Sequence, residues 1–429
     1  MKIQNIIKAK EESINLATSP QKKRNNALKL IAQTLRKSKS LILKANKKDI
    51  DNAKRSNLSD SLLKRLELNP TKIDEMIQGI HGLINLDDPI GKTLSVMDLD
   101  KGLRLLKISS PIGVIGAIFE SRPDALVQIS CLCIKSGNAV LLKGGSEALN
   151  SNKTLFGLIQ KAVKKAGLST NLLYLLETRE DVKKILELDK YIDLLVPRGS
   201  NEFVKYIMDN TKIPVLGHAD GICHVYVDKN ANTRKAVRIS YDSKCQYAAV
   251  CNSMETLLVH KSIAKKFLPI IIKKYLKNNV ELRVDDRVRR IVKNKQLKKA
   301  TEEDWKTEYN DLILSIKIVD NLDQAIKHIN KYGSGHTDSI VTENKESAKQ
   351  FMDLVDSASV MWNASTRFSD GFRYGLGAEV GISTNKVHAR GPVGLGGLTI
   401  YKFRLIGHGH VVEDYSGESA KRFLHRRIK

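Results

Sequence analysis

Cysteine chemistry is the first possibility this sequence raises. In YDSKCQYAAVCNSMETLLVH, Cys251 stands between an expected helix and the apolar run ETLLVH, which reads as a strand. A thiol at such a junction lies beside free main-chain NH groups, which stabilise a thiolate and an oxyanion alike, so it suits covalent catalysis at an acyl carbon. Position alone favours a packed structural cysteine. Cys245, on the helix side of the same loop, is the nearest competitor. Cys131 and Cys133 lie in the apolar stretch ALVQISCLCIKSG, and with Cys223 they make five cysteines without a CxxC pair. Reduced thiols are expected, with neither a disulfide framework nor a metal site. GLGAEVG at Gly375–Gly381 lacks the preceding strand of a dinucleotide loop, and no GxGxxG follows the early strands, so a nucleotide would be held in another way. His218, in IPVLGHADG, could pass a proton, although an ordinary structural hydrogen bond weighs more for a loop histidine.

The elements that would position these residues follow from the hydrophobic periods. Residues 4 to 84 read as helical, with apolar side chains at three- and four-residue spacing. LSVMDLDKGLRLLKIS reads as a β-hairpin turning at Asp100, Lys101 and Gly102, with unpaired edges. Strands and helices then alternate: IGVIGAI, DALVQISCLCIKSG, AVLLK, a helix to Gly167, LLYLL, a helix near 179 to 188, IDLLVP, a helix from about Asn201, and CHVYVD. A second series runs through TRKAVRISYDSK, ETLLVH, IAKKFLPIIIKKYLK, ILSIKIV, DQAIKHIN, SIVT and SVMWN. The rhythm predicts an α/β fold with two doubly wound parallel-sheet domains. The expected parts are 1–94 with 110–230, then 231–396, an arm of 95–109 with 397–412, and a tail from 413 to 429. The Gly-rich stretch from Arg367 to about Gly397 suits a loop wrapping a site.

Composition bounds the reading. The 429 residues are 41% hydrophobic, enough to bury two cores. No apolar run reaches the roughly 18 to 20 residues of a membrane span, and the start carries acidic residues, so a cytoplasmic protein without membrane contact is expected. The net charge is +25, from 72 Lys and Arg against 47 Asp and Glu. The basic residues are spread in pairs along the chain without a stripe, and aromatics are only 5%, so a nucleic-acid partner is disfavoured against a Lys-rich solvated surface.

PIGVIGAIFESRPDA at Pro111–Ala125, LLKGGSEA at Leu141–Ala148, LVPRGSNEFVKYI at Leu195–Ile207 and QYAAVCNSMETLLVH at Gln246–His260 carry a specific resemblance. So do HTDSIVTE at His336–Glu343 and WNASTRFSDGFRYGLGAEVGIST at Trp362–Thr384, with HARGPVGL close behind. In the same order and over nearly the whole chain, these segments resemble the gamma-glutamyl phosphate reductase family, a branch of the aldehyde dehydrogenase superfamily. The resemblance implies reduction of L-glutamate 5-phosphate by NADPH, in proline biosynthesis, through a thioester on Cys251. It implies that Lys143, Ser146 and Glu147 take the adenosine ribose. The turn Arg198, Gly199 and Ser200 would face the pyrophosphate at a helix N-terminus, and Glu308 the nicotinamide ribose. Ser121 resembles the position that supplies a second oxyanion donor, as a side-chain amide, in the superfamily. Val215 stands where hydrolytic members carry a glutamate base, which a reductase does not need. An amino-acid substrate calls for an arginine fork and an acid, for which Arg122, Arg367, Arg373 and Asp370 are the candidates, with Asn252 beside the nucleophile. A homo-oligomer is expected, and with no kinase segment ahead of the reductase segments, a separate glutamate 5-kinase would supply the substrate. The rival readings are a CoA-acylating aldehyde dehydrogenase and a basic nucleic-acid-binding protein.

Overall fold

The computed structural model describes residues 3–199, 201–217 and 220–429. Five helices come first: α1 (Ile3–Ala17), α2 (Gln21–Lys37), α3 (Lys39–Arg55), α4 (Asp60–Leu66) and α5 (Pro70–Asn85). The long ones bury a stripe at helical spacing; on α2 it includes Ala27, Leu28, Ile31 and Leu35. Helix α5 starts where the Asn69 side chain accepts the Lys72 amide and Pro70 fills the first turn. The hairpin follows as β1 (Thr93–Asp100) and β2 (Leu103–Pro111), turning at Gly102, whose φ of +79° suits a residue without a Cβ.

The first α/β series is β3 (Val114–Ile118), α6 (Pro123–Lys135), β4 (Ala139–Lys143), α7 (Leu149–Lys165), β5 (Leu173–Leu175), α8 (Arg179–Leu186), β6 (Leu194–Pro197) and α9 (Asn201–Asp209). Its strands form a four-stranded parallel sheet in the order β5-β4-β3-β6. Strands β3, β4 and β6 are buried along their whole length, which explains their continuous apolar sequences. Helices α2 and α3 pack on α7, and α5 packs on α6, so the N-terminal helices share the core of this sheet.

The second series is β7 (Cys223–Val227), α10 (Thr233–Cys245), β8 (Met254–His260), α11 (Lys261–Lys277), β9 (Glu281–Val284), α12 (Asp286–Ile291), β10 (Lys298–Lys299), β11 (Ile313–Val319), α13 (Leu322–Tyr332), β12 (Thr337–Val341), α14 (Lys345–Leu354) and β13 (Ser359–Trp362). The sheet is parallel, in the order β10-β9-β11-β8-β7-β12-β13, with a core on each face. Strand β7 pairs with β8 and β12. The break between the sheets therefore falls before Cys223, and not near residue 230 as the order of elements suggests. An apolar strand buried on both faces carries no mark of which sheet it joins.

The chain ends through β14 (Ile382–Ser383), β15 (Gly391–Pro392), β16 (Thr399–Ile406) and β17 (Arg426–Arg427). The hairpin does not keep open edges: the arm is a four-stranded sheet, β16-β2-β1-β17. Nor is the stretch from 413 onward a mere tail. Tyr415 donates to Asp100 at 2.8 Å, the Leu424 amide donates to the Leu99 carbonyl at 2.8 Å, and Arg426 and Arg104 both reach the Asp98 carboxylate. Among the described residues, no helix is long and apolar enough to cross a membrane.

Candidate active site

Helix α10 ends at Cys245, a short loop follows, and Cys251 lies three residues before β8 begins. Beneath it passes Gly221: a Cβ there would lie 2.4 Å from the Cys251 carbonyl oxygen and 2.6 Å from the Glu308 carboxylate. Only glycine fits that passage. On β8, Glu255 accepts the Lys244 ammonium at 2.6 Å and the Asn310 amide at 3.3 Å, which ties the turn after Glu308 to the strand behind the thiol.

Cys251 opens into a cleft of about 1190 Å³. Its walls come from the helical layer (Arg65, Lys72), from the first sheet's loops (Glu120, Arg122, Asp124, Arg198, Gly199) and from the second unit (Glu308, Arg367, Asp370, Arg373, Glu379). Arg65 donates to the Ala249 carbonyl at 2.8 Å, so the helical layer also holds the cysteine loop. Burial pushes the Cys251 thiol up to about 12; Glu308 and Glu379 add to the rise, while Arg198 and Arg367 oppose it. In this state the thiol is protonated at neutral pH. Cys245 is half-buried, its thiol pushed up to about 11 by burial, and it does not line the cleft.

The arginines differ in how they are engaged. Arg122 pairs with Asp124 at 2.8 Å. Arg367 donates to Gln246 at 2.9 Å, and Arg373 to the Arg367 carbonyl at 2.9 Å, with Asp370 at 3.7 Å. Arg198 points into the same cleft, against Gly381, where its aliphatic stem runs 3.8 to 3.9 Å from the position a Cβ would take. Burial and the neighbouring Arg122 hold its guanidinium below the usual arginine range, and Glu379 works the other way. Burial pushes the Glu379 carboxyl up to about 7, against the pull of Arg198; one of its oxygens accepts the Gly371 amide at 2.9 Å.

Other residues expected at the site lie outside the cleft. The backbone NH and the hydroxyl of Ser121 both donate to Glu147, and Ser121 is buried and does not line the cleft. It is thereby committed to a carboxylate instead of an oxyanion, which corrects the expectation of a second donor there. Asn252 is likewise outside: its amide holds the Ser369 carbonyl at 2.7 Å, bracing the turn that carries Asp370 and Arg373. Val215 packs against the first core and does not line the cleft. Ser200 and His218 lie outside the described residues.

At the C-terminal edge of the four-stranded sheet, where open parallel sheets take nucleotides, β4 ends at Lys143. Its buried ammonium donates to the Gly144 carbonyl at 2.6 Å, and Ser146 is exposed just before α7. A lysine and an exposed hydroxyl at this edge fit the ribose and phosphates of a nicotinamide dinucleotide. Arg198 and Gly199, expected beside them at the pyrophosphate, both line the Cys251 cleft. Glu379 and Gly221 carry no motif of their own. The one available signal was that Glu379 falls inside the Gly-rich loop that was expected to wrap the site.

A profile of the aldehyde dehydrogenase family matches residues 2–308. The gamma-glutamyl phosphate reductase of Pelotomaculum thermopropionicum is 59% identical over 98% of this chain and 96% of its own. The crystal structure of gamma-glutamyl phosphate reductase from Thermotoga maritima superposes with a TM-score of 0.92 at 43% identity, covering 95% of this chain and 99% of that one. A glyceraldehyde-3-phosphate dehydrogenase from Methanocaldococcus jannaschii, complexed with NADP, shares the fold at 17% identity and a TM-score of 0.67, covering 94% of both chains. With most of the cleft's charged side chains supplied by segments that match in order, and with this similarity along the full length, the chain belongs to the gamma-glutamyl phosphate reductase branch of the aldehyde dehydrogenase family.

Proposed function

We infer that the protein reduces L-glutamate 5-phosphate to L-glutamate 5-semialdehyde and phosphate, as a glutamate-5-semialdehyde dehydrogenase of proline biosynthesis. The observation that carries this reading is one thiol, Cys251, opening into a cleft walled by arginines, in a chain whose relatives bear that enzyme's name. Cys251 loses its proton and attacks the acyl carbon; the phosphate leaves with the bonding electrons, and a thioester remains on the sulfur. The cleft's positive side chains offset the charge of the departing phosphate and of the oxyanion. Family membership implies a nicotinamide cofactor, which when bound supplies the hydride that reduces the thioester. Lys143 and Ser146 would hold its adenosine end and Glu308 its nicotinamide ribose. Cys251 then leaves the reduced carbon, and a proton returns to the sulfur.

NADP is preferred over NAD in this reading on the strength of the family and of nearby positive charge, with Lys143 at the sheet edge. A cytoplasmic homo-oligomer joined through the arm goes with it. The test is the reverse reaction: glutamate semialdehyde, NADP and phosphate, following NADPH formation. Absolute dependence on phosphate is expected, with NAD giving a lower rate. Coenzyme A replacing phosphate would instead point to an acylating aldehyde dehydrogenase, which shares the thioester step.

A further inference from the structure

Two opposite charges in the cleft have been left without each other. Of the five arginines that line it, four are engaged by protein oxygens; among the described residues, the Arg198 guanidinium has no hydrogen-bond or ion-pair partner. Glu379 lies two residues before Gly381, the backbone against which Arg198 packs, yet no ion pair within 4 Å joins the two. One Glu379 oxygen is taken by the Gly371 amide and the other has no partner among the described residues. A half-buried guanidinium and a half-buried carboxylate on one wall would close on each other if nothing were meant to come between them. Their separation is that of a site for a group carrying both charges.

We propose that Arg198 and Glu379 together hold the α-amino acid head of the substrate, Arg198 taking the α-carboxylate and Glu379 the α-ammonium. This rests on the reading of the substrate as a glutamyl derivative. A zwitterion satisfies both side chains at once. A phosphate dianion at the same place would gain from Arg198 but meet the Glu379 charge, which favours placing the leaving group elsewhere in the cleft. Arg198 thus belongs to substrate recognition, and Glu379 becomes a specificity-determining residue.

Two aldehydes, each lacking one charge of glutamate semialdehyde, separate the roles: 5-oxopentanoate has no ammonium, and 4-aminobutanal has no carboxylate. Phosphate-dependent NADPH formation is measured with all three, for the unmodified enzyme, Glu379→Gln and Arg198→Gln. A charge-assisted hydrogen bond sets the expected discrimination at about 10- to 100-fold. Glu379→Gln should lose most of the preference over 5-oxopentanoate and keep that over 4-aminobutanal; Arg198→Gln should do the reverse. Preferences unchanged in both variants, or activity lost equally on all three aldehydes, would overturn the assignment. So would an Arg198→Gln variant that needs more phosphate but discriminates among aldehydes as before. An unmodified enzyme without phosphate-dependent turnover would overturn the functional reading and this inference with it, whereas an active one with unaltered variants overturns the inference alone.

Discussion

Cys251 and Cys245 lie six residues apart but in different surroundings, and this sets opposite outcomes for their replacement. Cys251→Ser should remove nearly all turnover while leaving cofactor binding within a few-fold, because a hydroxyl is a far poorer nucleophile at neutral pH. Cys245→Ser should keep most activity. Steady-state rates and fluorescence titration of both variants check this, and exchanged outcomes would reverse the assignment. The charge state of Glu379 adds a pH dependence. Its carboxyl is charged above a value of about 7 and neutral below it, and only the charged form attracts an ammonium. The preference for glutamate semialdehyde over 5-oxopentanoate should therefore shrink as pH falls through 7, and a ratio of rates cancels the titration of Cys251, which both substrates share. A ratio flat from pH 6 to 8 would count against Glu379. At this scale the sequence marked Cys251, Arg122, Arg367, Asp370 and Arg373, and the structure gathers them in one cleft. It could not show where side chains at strand ends point: Ser121 turns to Glu147, and Arg198 runs beside Gly381 in the cleft.

Among the elements, the parallel strands were legible because burial on both faces leaves short continuous apolar runs between helices. What escaped was short or hidden behind charge. Strand β9 has four residues and β10 has two, Lys298 and Lys299, both exposed. Helix α14 was also passed over, although Asn344 caps it and Ala348 and Phe351 lie on one face. The arm was legible as a hairpin but not as a four-stranded sheet, since its partners lie about 300 residues away in sequence. Its outer strand β16 exposes Ile400, Tyr401, Phe403, Leu405 and Ile406, a large apolar area for one strand to leave in water. If a second copy covers it, Phe403→Asp with Leu405→Asp should lower the mass measured by light scattering, while the far-ultraviolet circular dichroism stays the same. An unchanged mass would show that the association, if any, uses another surface.

For the whole molecule, the net charge of +25 acts at a distance that no single contact does. A positive protein draws in a phosphorylated substrate, so kcat/KM for glutamate 5-phosphate should fall as salt rises from 20 to 300 mM, and more steeply than kcat. Salt-independent values would mean that the surplus charge lies too far from the cleft to steer. The cleft has a further consequence, because its walls come from the helical layer, the first sheet's loops and the second unit, with Arg65 fastened to Ala249 across them. A ligand lodged there works as a splint between parts of the chain that have separate cores. In calorimetry the empty protein should melt in resolved steps, one for each core, and saturating cofactor should draw those steps together and move them upward with the logarithm of its concentration. Heat resistance in this protein would then be a property of the filled enzyme, set as much by how much cofactor surrounds it as by the packing of either core.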